Sequence, residues 1–245
     1  MIRVIKRILL GSAARLRILT QTSLAEIASV HYSKDDITRK PIDYFIIYES
    51  ILGQFATADI KILELGVFNG ASLAVWRRYF KNAVIVGLDV DPLPEKLAPL
   101  VSAGQLYFVQ GDQSNHDVLD RAIKLTGGSG FDIIIDDASH IGALSKASFD
   151  YLFLNGLKPN GYYFVEDYGT GYMAGFPDGA AFAEPVSDQQ QVFPSHQFGM
   201  VGWMKQLIDE IHRSAITPDH QSRYPIESIT FWPHIALVRK VTKCG

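Results

Sequence analysis

The chain has 245 residues, 47% of them hydrophobic and 20% charged. That composition excludes a disordered or collagen-like chain, and the length suits one large globular domain or two small ones, with a core that needs no covalent staples. The net charge of −3 hides an asymmetry: residues 1–20 hold Arg3, Lys6, Arg7, Arg15 and Arg17 and no acid, so the remainder carries −8, which argues against a general nucleic-acid binder.

The single cysteine, Cys244, excludes an intrachain disulfide and a multi-cysteine zinc site and suits a reducing compartment. The first residues do not make a signal peptide, because the apolar run after Arg7 is short and Arg15 interrupts it. No stretch reaches the roughly 18–20 apolar residues that span a bilayer. On a helical wheel Ile2, Ile5, Leu9, Leu16 and Leu19 share one side, away from Arg3, Lys6, Arg7 and Arg17. This predicts a basic amphipathic helix in an N-terminal extension, residues 1–30, ahead of a single domain, residues 31–245. Such a helix either packs on protein, its own domain or a second copy in a homo-oligomer, or rests on an anionic membrane surface. The expected location is cytoplasmic, with peripheral contact at the inner membrane surface as the second option.

Past the extension, strand-like runs alternate with helical patterns. Residues 60–65, 83–89, 106–110, 131–136 and 162–166 read as buried strands, the last preceded by a turn at Lys158-Pro159-Asn160-Gly161. Between them, residues 72–80, 93–101, 115–125 and 143–153 read as helices. This rhythm implies a doubly wound, mostly parallel sheet. Residues 169–198, rich in Gly, Pro, Gln and aromatics, read as a long loop beside the ligand-binding edge of the sheet. A helix over 200–211 follows. Residues 228–232 and 234–240 then read as two strands separated only by Pro233, too close for a helical crossover and therefore antiparallel. The expected fold is α/β, a seven-stranded Rossmann-like sheet with an antiparallel C-terminal strand.

Two constellations carry chemistry. In the first, Ile62-Leu63-Glu64-Leu65-Gly66-Val67-Phe68-Asn69-Gly70-Ala71-Ser72 runs from strand through a glycine turn into a helix, where Gly66 and Gly70 let backbone approach a ligand. The Gly-x-x-x-Gly spacing departs from the dinucleotide fingerprint. Asp89 ends the second strand, where a carboxylate can accept both hydroxyls of an adenosine ribose. The turn Gly111-Asp112-Gln113-Ser114 lies at the same edge; Asp112 meets an adenine edge or caps the next helix. Together Glu64, Asp89 and Asp112 favour an adenosyl site over three unrelated turn acids.

The second joins Asp136-Asp137-Ala138-Ser139-His140 to Glu166-Asp167-Tyr168, at the ends of two strands that should be neighbours. Acids gathered there are costly unless paired, hydrated or metal-bound, and convergent oxygens without cysteine suit a hard cation such as magnesium. Such a cation can hold two adjacent substrate oxygens while His140 takes a proton. Helix capping in two separate loops, and a surface histidine bonded to a carboxylate, are the plain alternatives.

On LELGVFNGAS, GDQS, FDIIIDDASH and GYYFVEDYGTGY, the sequence resembles the class I S-adenosylmethionine-dependent methyltransferases, and within them the metal-dependent sugar O-methyltransferases of macrolide and novobiocin type, from about His31 to Lys240. The resemblance implies that Glu64 and Gly66 flank the methionine part of S-adenosylmethionine, with Gly70 and Ser72 in the same cofactor-binding segment. It implies further that Asp89 holds the ribose, and that Asp112 and Gln113 lie near the adenine. Asp137, Glu166 and Asp167 match the metal ligands for Mg2+ or another hard divalent cation, and His140 the general base, with Asp137 counted in the catalytic set. Tyr168, Tyr172, Phe176 and His196 would contact the sugar. The segment from His31-Tyr32 to Tyr44 and Tyr48-Glu49 is similar to the family's stretch before the first strand, although Lys34-Asp35 departs from its usual order. The implied activity is methylation of a sugar hydroxyl, a deoxyhexose of a bacterial glycoconjugate or of a natural product. A catechol-type O-methyltransferase, a non-catalytic adenosyl-ligand-binding protein and, less favoured, a nicotinamide-dependent oxidoreductase are the alternatives.

Overall fold

The computed structural model describes residues 22–32, 40–181, 199–216 and 222–242. The basic segment 1–20, Lys34-Asp35 and His196 lie outside these residues. The chain divides into two compact units between Gly53 and Gln54.

In the first unit, helix α1 (Leu24–His31) starts at a capping box. Ser23 Oγ accepts from Glu26 N (3.2 Å), and Ser23 N donates to the Glu26 carboxylate (2.9 Å). Helix α2 (Ile42–Leu52) begins after Pro41. Tyr32 and Phe45 rings meet at 6.0 Å. Helix α2 was not anticipated: the run Ile42-Asp43-Tyr44-Phe45-Ile46-Ile47-Tyr48 is apolar on most sides and gives little helical periodicity.

The second unit is built on seven strands in the order β3-β2-β1-β4-β5-β7-β6. Strands β1 (Lys61–Leu65), β2 (Val84–Asp89), β3 (Tyr107–Gln110), β4 (Phe131–Asp136) and β5 (Leu157–Glu166) are parallel, as the alternating pattern predicts. β7 (Ile235–Lys240) runs antiparallel to both β5 and β6 (Ile226–Trp232), so the expected ending of the sheet is present. Helices α3 (Ala71–Tyr79), α4 (Ala98–Ser102), α5 (His116–Lys124) and α6 (Gly142–Asn155) make the crossovers.

Strand periodicity assigns the two faces. Leu63 and Leu65 of β1 join a core with Leu119 of α5, Phe149 and Phe153 of α6, and Met200 and Trp203 of helix α8 (Gly199–Ile216). Glu64, between them, points to the opposite face and meets Ser72 and Trp76 of α3. Helices therefore cover both sides of a sheet whose central strands β1, β2 and β4 are buried and nearly all apolar, while the edge strands β3 and β6 are partly exposed.

Four local readings are corrected. The turn Lys158-Pro159-Asn160-Gly161 lies inside β5 as an irregularity: Phe131 pairs with Leu157 and Ile133 with Tyr162, and Asn160 takes φ +61° to close the excursion. The helix expected over 93–101 is a 3₁₀ turn (Glu95–Leu97) followed by the short α4, because Pro94 and Pro99 each remove an amide donor. The stretch after β5 is not all loop: it forms a 3₁₀ turn (Tyr168–Tyr172) and helix α7 (Pro177–Ala181), both too short to show periodicity. Helix α8 runs five residues beyond the expected end at Ile211.

Candidate active site

The chain leaves β1 toward β2 and β3, then returns to β4 on the other side of β1. The β1/β4 boundary is thus the topological switch point, where open α/β sheets bind ligands. A cleft of ≈ 270 Å³ lies there, lined by residues from the ends of four strands: Gly66 and Phe68 after β1, Leu88 to Asp91 at β2, Gly111 to Gln113 after β3, and Asp137 to Ser139 after β4, with Leu144.

The turn after β1 is held by backbone geometry. Gly66 has φ +85°, and a Cβ there would stand 2.1 Å from Asp137 O, so β1 and β4 approach each other as only glycine permits. Gly66 N donates to Leu88 O (2.8 Å), and Asp137 N to Leu65 O (2.9 Å). Asp89 Oδ2 accepts from Val67 N (2.6 Å) and Phe68 N (2.8 Å), and Oδ1 from Asp91 N (3.0 Å). The carboxylate expected at a ribose therefore also ties the glycine turn to the end of β2; three of its roughly four acceptor sites are used within the chain, which leaves about one for a ligand.

Glu64 and Ser72 do not line this cleft. They are buried against each other, with Glu64 Oε2 accepting from Ser72 Oγ (2.9 Å) and Trp76 Nε1 (3.2 Å). Gly70, at φ +80° before α3, packs against Leu97. Asp112 faces the cleft; its Oδ1 accepts from Ser114 N and Ser114 Oγ, both at 2.7 Å, which holds its carboxyl below the usual range. The cap of α5 is Asn115, which accepts from Asp117 N (2.9 Å). Gln113 lines the cleft with its amide turned inward.

The second constellation assembles beside the cleft. Asp137, His140 and Asp167 each bring one ligand atom to within 4.8 Å of the others. His140 Nε2 stands 3.9 Å from Asp167 Oδ2. His140 (φ +53°) and Asp167 (φ +54°) both take the left-handed conformation, which costs a non-glycine residue energy and turns their side chains toward each other. Asp136 and Glu166, one residue earlier on each strand, are fully buried and lie outside this group. Burial pushes the Asp136 carboxyl up to about 7 against the pull of bonds from Ser145, Ala138 N and Gln113, and Asp137 adds to the rise. Two carboxylates and an imidazole, with no sulfur, match the donors a hard divalent cation accepts.

Phe176 meets the His140 ring edge-on at 5.9 Å. Tyr168, half-buried, donates its hydroxyl to Trp232 O (2.8 Å) and meets Phe231 edge-on at 5.9 Å. Burial, then Tyr172, raise its pKa. Tyr172 ends the 3₁₀ turn and is partly buried. One structural contact beside the site had no sequence signal: Asp178 of α7 accepts at Oδ2 from Gly142 N (2.8 Å) and Met200 N (2.7 Å), capping α6 and α8 from a third element. A cap supplied across space leaves no local motif.

No protein-family model matches the chain. Among curated proteins, it is 30% identical over 206 residues to mycinamicin VI 2''-O-methyltransferase of Micromonospora griseorubida, covering 79% of this chain and 47% of that protein. It is 29% identical over 214 residues to 8-demethyl-8-alpha-L-rhamnosyl tetracenomycin-C 2'-O-methyltransferase of Streptomyces olivaceus, covering 82% of this chain and 51% of that protein. The chain thus spans about half the length of the curated relatives it matches. The solved structure of the MycE methyltransferase of the mycinamycin biosynthetic pathway, in complex with Mg, SAH and mycinamycin VI, superposes with a TM-score of 0.70 at 26% identity, covering 91% of this chain and 54% of that one. By sheet order, site and relatives, the chain has the Rossmann-like methyltransferase fold and, among the class I S-adenosylmethionine-dependent methyltransferases, is similar to the sugar O-methyltransferases of the macrolide and tetracenomycin pathways.

Proposed function

We propose that the protein transfers a methyl group from S-adenosylmethionine to a sugar hydroxyl with the help of a divalent cation, magnesium by the chemistry of the donors. The observation that carries this reading is the meeting of Asp137, His140 and Asp167 beside a cleft that Asp137 and Asp89 both line. The relatives named as sugar O-methyltransferases, and the structure solved with Mg and SAH, support it.

When bound, the cofactor supplies an electrophilic sulfonium methyl, and the cation supplies Lewis acidity toward adjacent oxygens. The chain does the rest. Asp89 accepts from a ribose hydroxyl while fixing the glycine turn. Leu88, Val90 and Leu144 give the cleft apolar walls for the adenosyl group. Asp137 and Asp167 would hold the cation, with Glu166, buried one residue before Asp167, as the third proposed carboxylate. His140 takes the proton of the acceptor hydroxyl as the methyl moves, its ring held by Phe176. Tyr168 and Tyr172, in the turn that follows Asp167, are the aromatic groups that would meet the sugar.

The test is a methyl-transfer screen over nucleotide-linked, lipid-linked and free deoxysugars, with and without magnesium. Methylation of a sugar that needs the metal is the expected result; full activity after exhaustive chelation would remove the metal from the reading. The basic segment 1–20 has its own assay, co-sedimentation of the full chain and of a chain lacking these residues with anionic vesicles, read beside light scattering for self-association.

A further inference from the structure

We propose that Gln113 is a positioning residue that couples the two halves of the site, so that filling the adenosyl cleft sets the loop that bears the metal-binding and proton-accepting groups. The inference rests on the proposed function and adds a thermodynamic link between its two ligands.

Gln113 sits in the turn after β3, the wall of the cleft that the cofactor would press upon, and is 4% exposed. Its Nε2 donates to Asp136 Oδ1 (3.2 Å) and to Ser148 Oγ (2.8 Å). Its Oε1 accepts from Ser139 N (3.2 Å). A primary amide has two N–H groups, so both are spent inside the protein and none is left for an adenine. The chemistry of the partners fixes the amide's orientation. Reversed, its oxygen would face the Asp136 carboxyl and its NH2 would face the Ser139 N–H.

The partners are what give the residue a function. Asp136 directly precedes Asp137, and Ser139 directly precedes His140. The two bonds therefore bracket the short loop whose side chains converge with Asp167. The third bond anchors the same amide to α6, the helix that the loop feeds into. A displacement of residues 111–113 by a bound adenosyl group is passed to both ends of the loop through one buried, fully engaged side chain. Coupling between two sites is reciprocal, so the cation must tighten the cofactor by the same factor as the cofactor tightens the cation.

The experiment measures binding as well as turnover. S-adenosylhomocysteine is titrated calorimetrically into the full chain with and without Mn2+, and Mn2+ is titrated by electron paramagnetic resonance with and without S-adenosylhomocysteine. In the native protein each ligand should tighten the other about 5-fold or more, the lower end of ordinary coupling. Gln113→Met keeps length and volume but loses all three bonds. It should bind S-adenosylhomocysteine alone within about 3-fold of the native protein while the coupling ratio falls to about 1. Gln113→Leu, which likewise loses all three bonds, should lose the coupling too and serves if the Met variant does not fold. Ser148→Ala leaves the two bonds at the loop in place and should retain the coupling even where the melting temperature falls.

Any of three results would overturn the proposal. One is weaker S-adenosylhomocysteine binding in the Gln113 variants with coupling intact, which would make Gln113 a cofactor contact. Another is a lowered melting temperature with every binding constant unchanged, which would make it a structural amide only. A native chain that binds both ligands without coupling also defeats it, whereas a native chain that binds neither defeats the proposed function itself.

Discussion

The two halves of the candidate site are built by different means. The half around β1 and β2 is made of backbone: a glycine turn at φ +85°, strand-end amides bonded across neighbouring strands, and a carboxylate, Asp89, that accepts two consecutive N–H groups. The half around β4 and β5 is made of side chains on backbone held in the left-handed region at His140 and Asp167. The first half would keep its shape with many side chains exchanged. The second depends on the identity of three residues and on whatever holds two unfavourable backbone conformations in place. Chemistry is expected to be fragile in the second half and binding in the first.

The largest effect that separates them is at His140. Replacing it with Ala should lower kcat by about 10²- to 10⁴-fold, the usual worth of a general base, with S-adenosylhomocysteine affinity unchanged by calorimetry. A parallel loss of Mn2+ affinity would make His140 a ligand of the cation, since its imidazole lies within the same group as Asp137 and Asp167. Asp89→Ala tests the other half. It removes the proposed ribose acceptor and leaves Val67 N and Phe68 N without the Asp89 carboxylate, so S-adenosylhomocysteine binding should weaken by about 10- to 100-fold on the scale of one or two hydrogen bonds to a charged group. Its effect on turnover at saturating cofactor should be small. If kcat collapses equally in both variants, the division into a binding half and a chemical half is wrong.

The same contrast explains what could be read from the sequence. β1 to β5 and their helices follow from apolar runs of four to six residues that alternate with polar-faced helices, and the antiparallel pair follows from the single Pro233 between two runs. The candidate site was legible for a related reason: its acids sit at strand ends, where two consecutive carboxylates interrupt an apolar run. The sequence could not show which acid of each pair turns outward. Along β4 and β5 the last residues, Asp136 and Glu166, are buried, and the next, Asp137 and Asp167, reach the cluster. That choice is made by strand register and by φ at Asp167, neither of which is a local preference. Gln113 and Asp178 were illegible as structural ties because their partners are 22 to 36 residues away in the chain. Helix α7 was missed because five residues cannot display a helical period.

Asp178 gives a smaller effect that sharpens the comparison. It accepts from the first turns of both α6 and α8, whose starts touch so closely that a Cβ on Gly142 would stand 2.0 Å from Gly199 C. Asp178→Ala should cost about 1–2 kcal/mol, the value of a strong helix cap, visible as a lower midpoint in urea. Because α6 begins two residues after His140, kcat should fall by a few-fold while S-adenosylhomocysteine affinity holds. Asp178→Asn keeps an acceptor oxygen and should recover most of both.

Trp76→Phe is the smallest change and the best control. Trp76 Nε1 donates to Glu64 on the face of the sheet opposite the Phe149 core, and neither residue lines the cleft. The Phe ring keeps most of the packing in a fully buried position but removes one donor to a buried carboxylate, at a cost of about 1–3 kcal/mol. Stability should fall with both kcat and cofactor affinity within about twofold of the native protein, since the Ser72 Oγ bond still holds Glu64. A selective loss of cofactor affinity would instead place Glu64 in direct service of the bound methionine group, and would extend the binding half of the site through the sheet to α3.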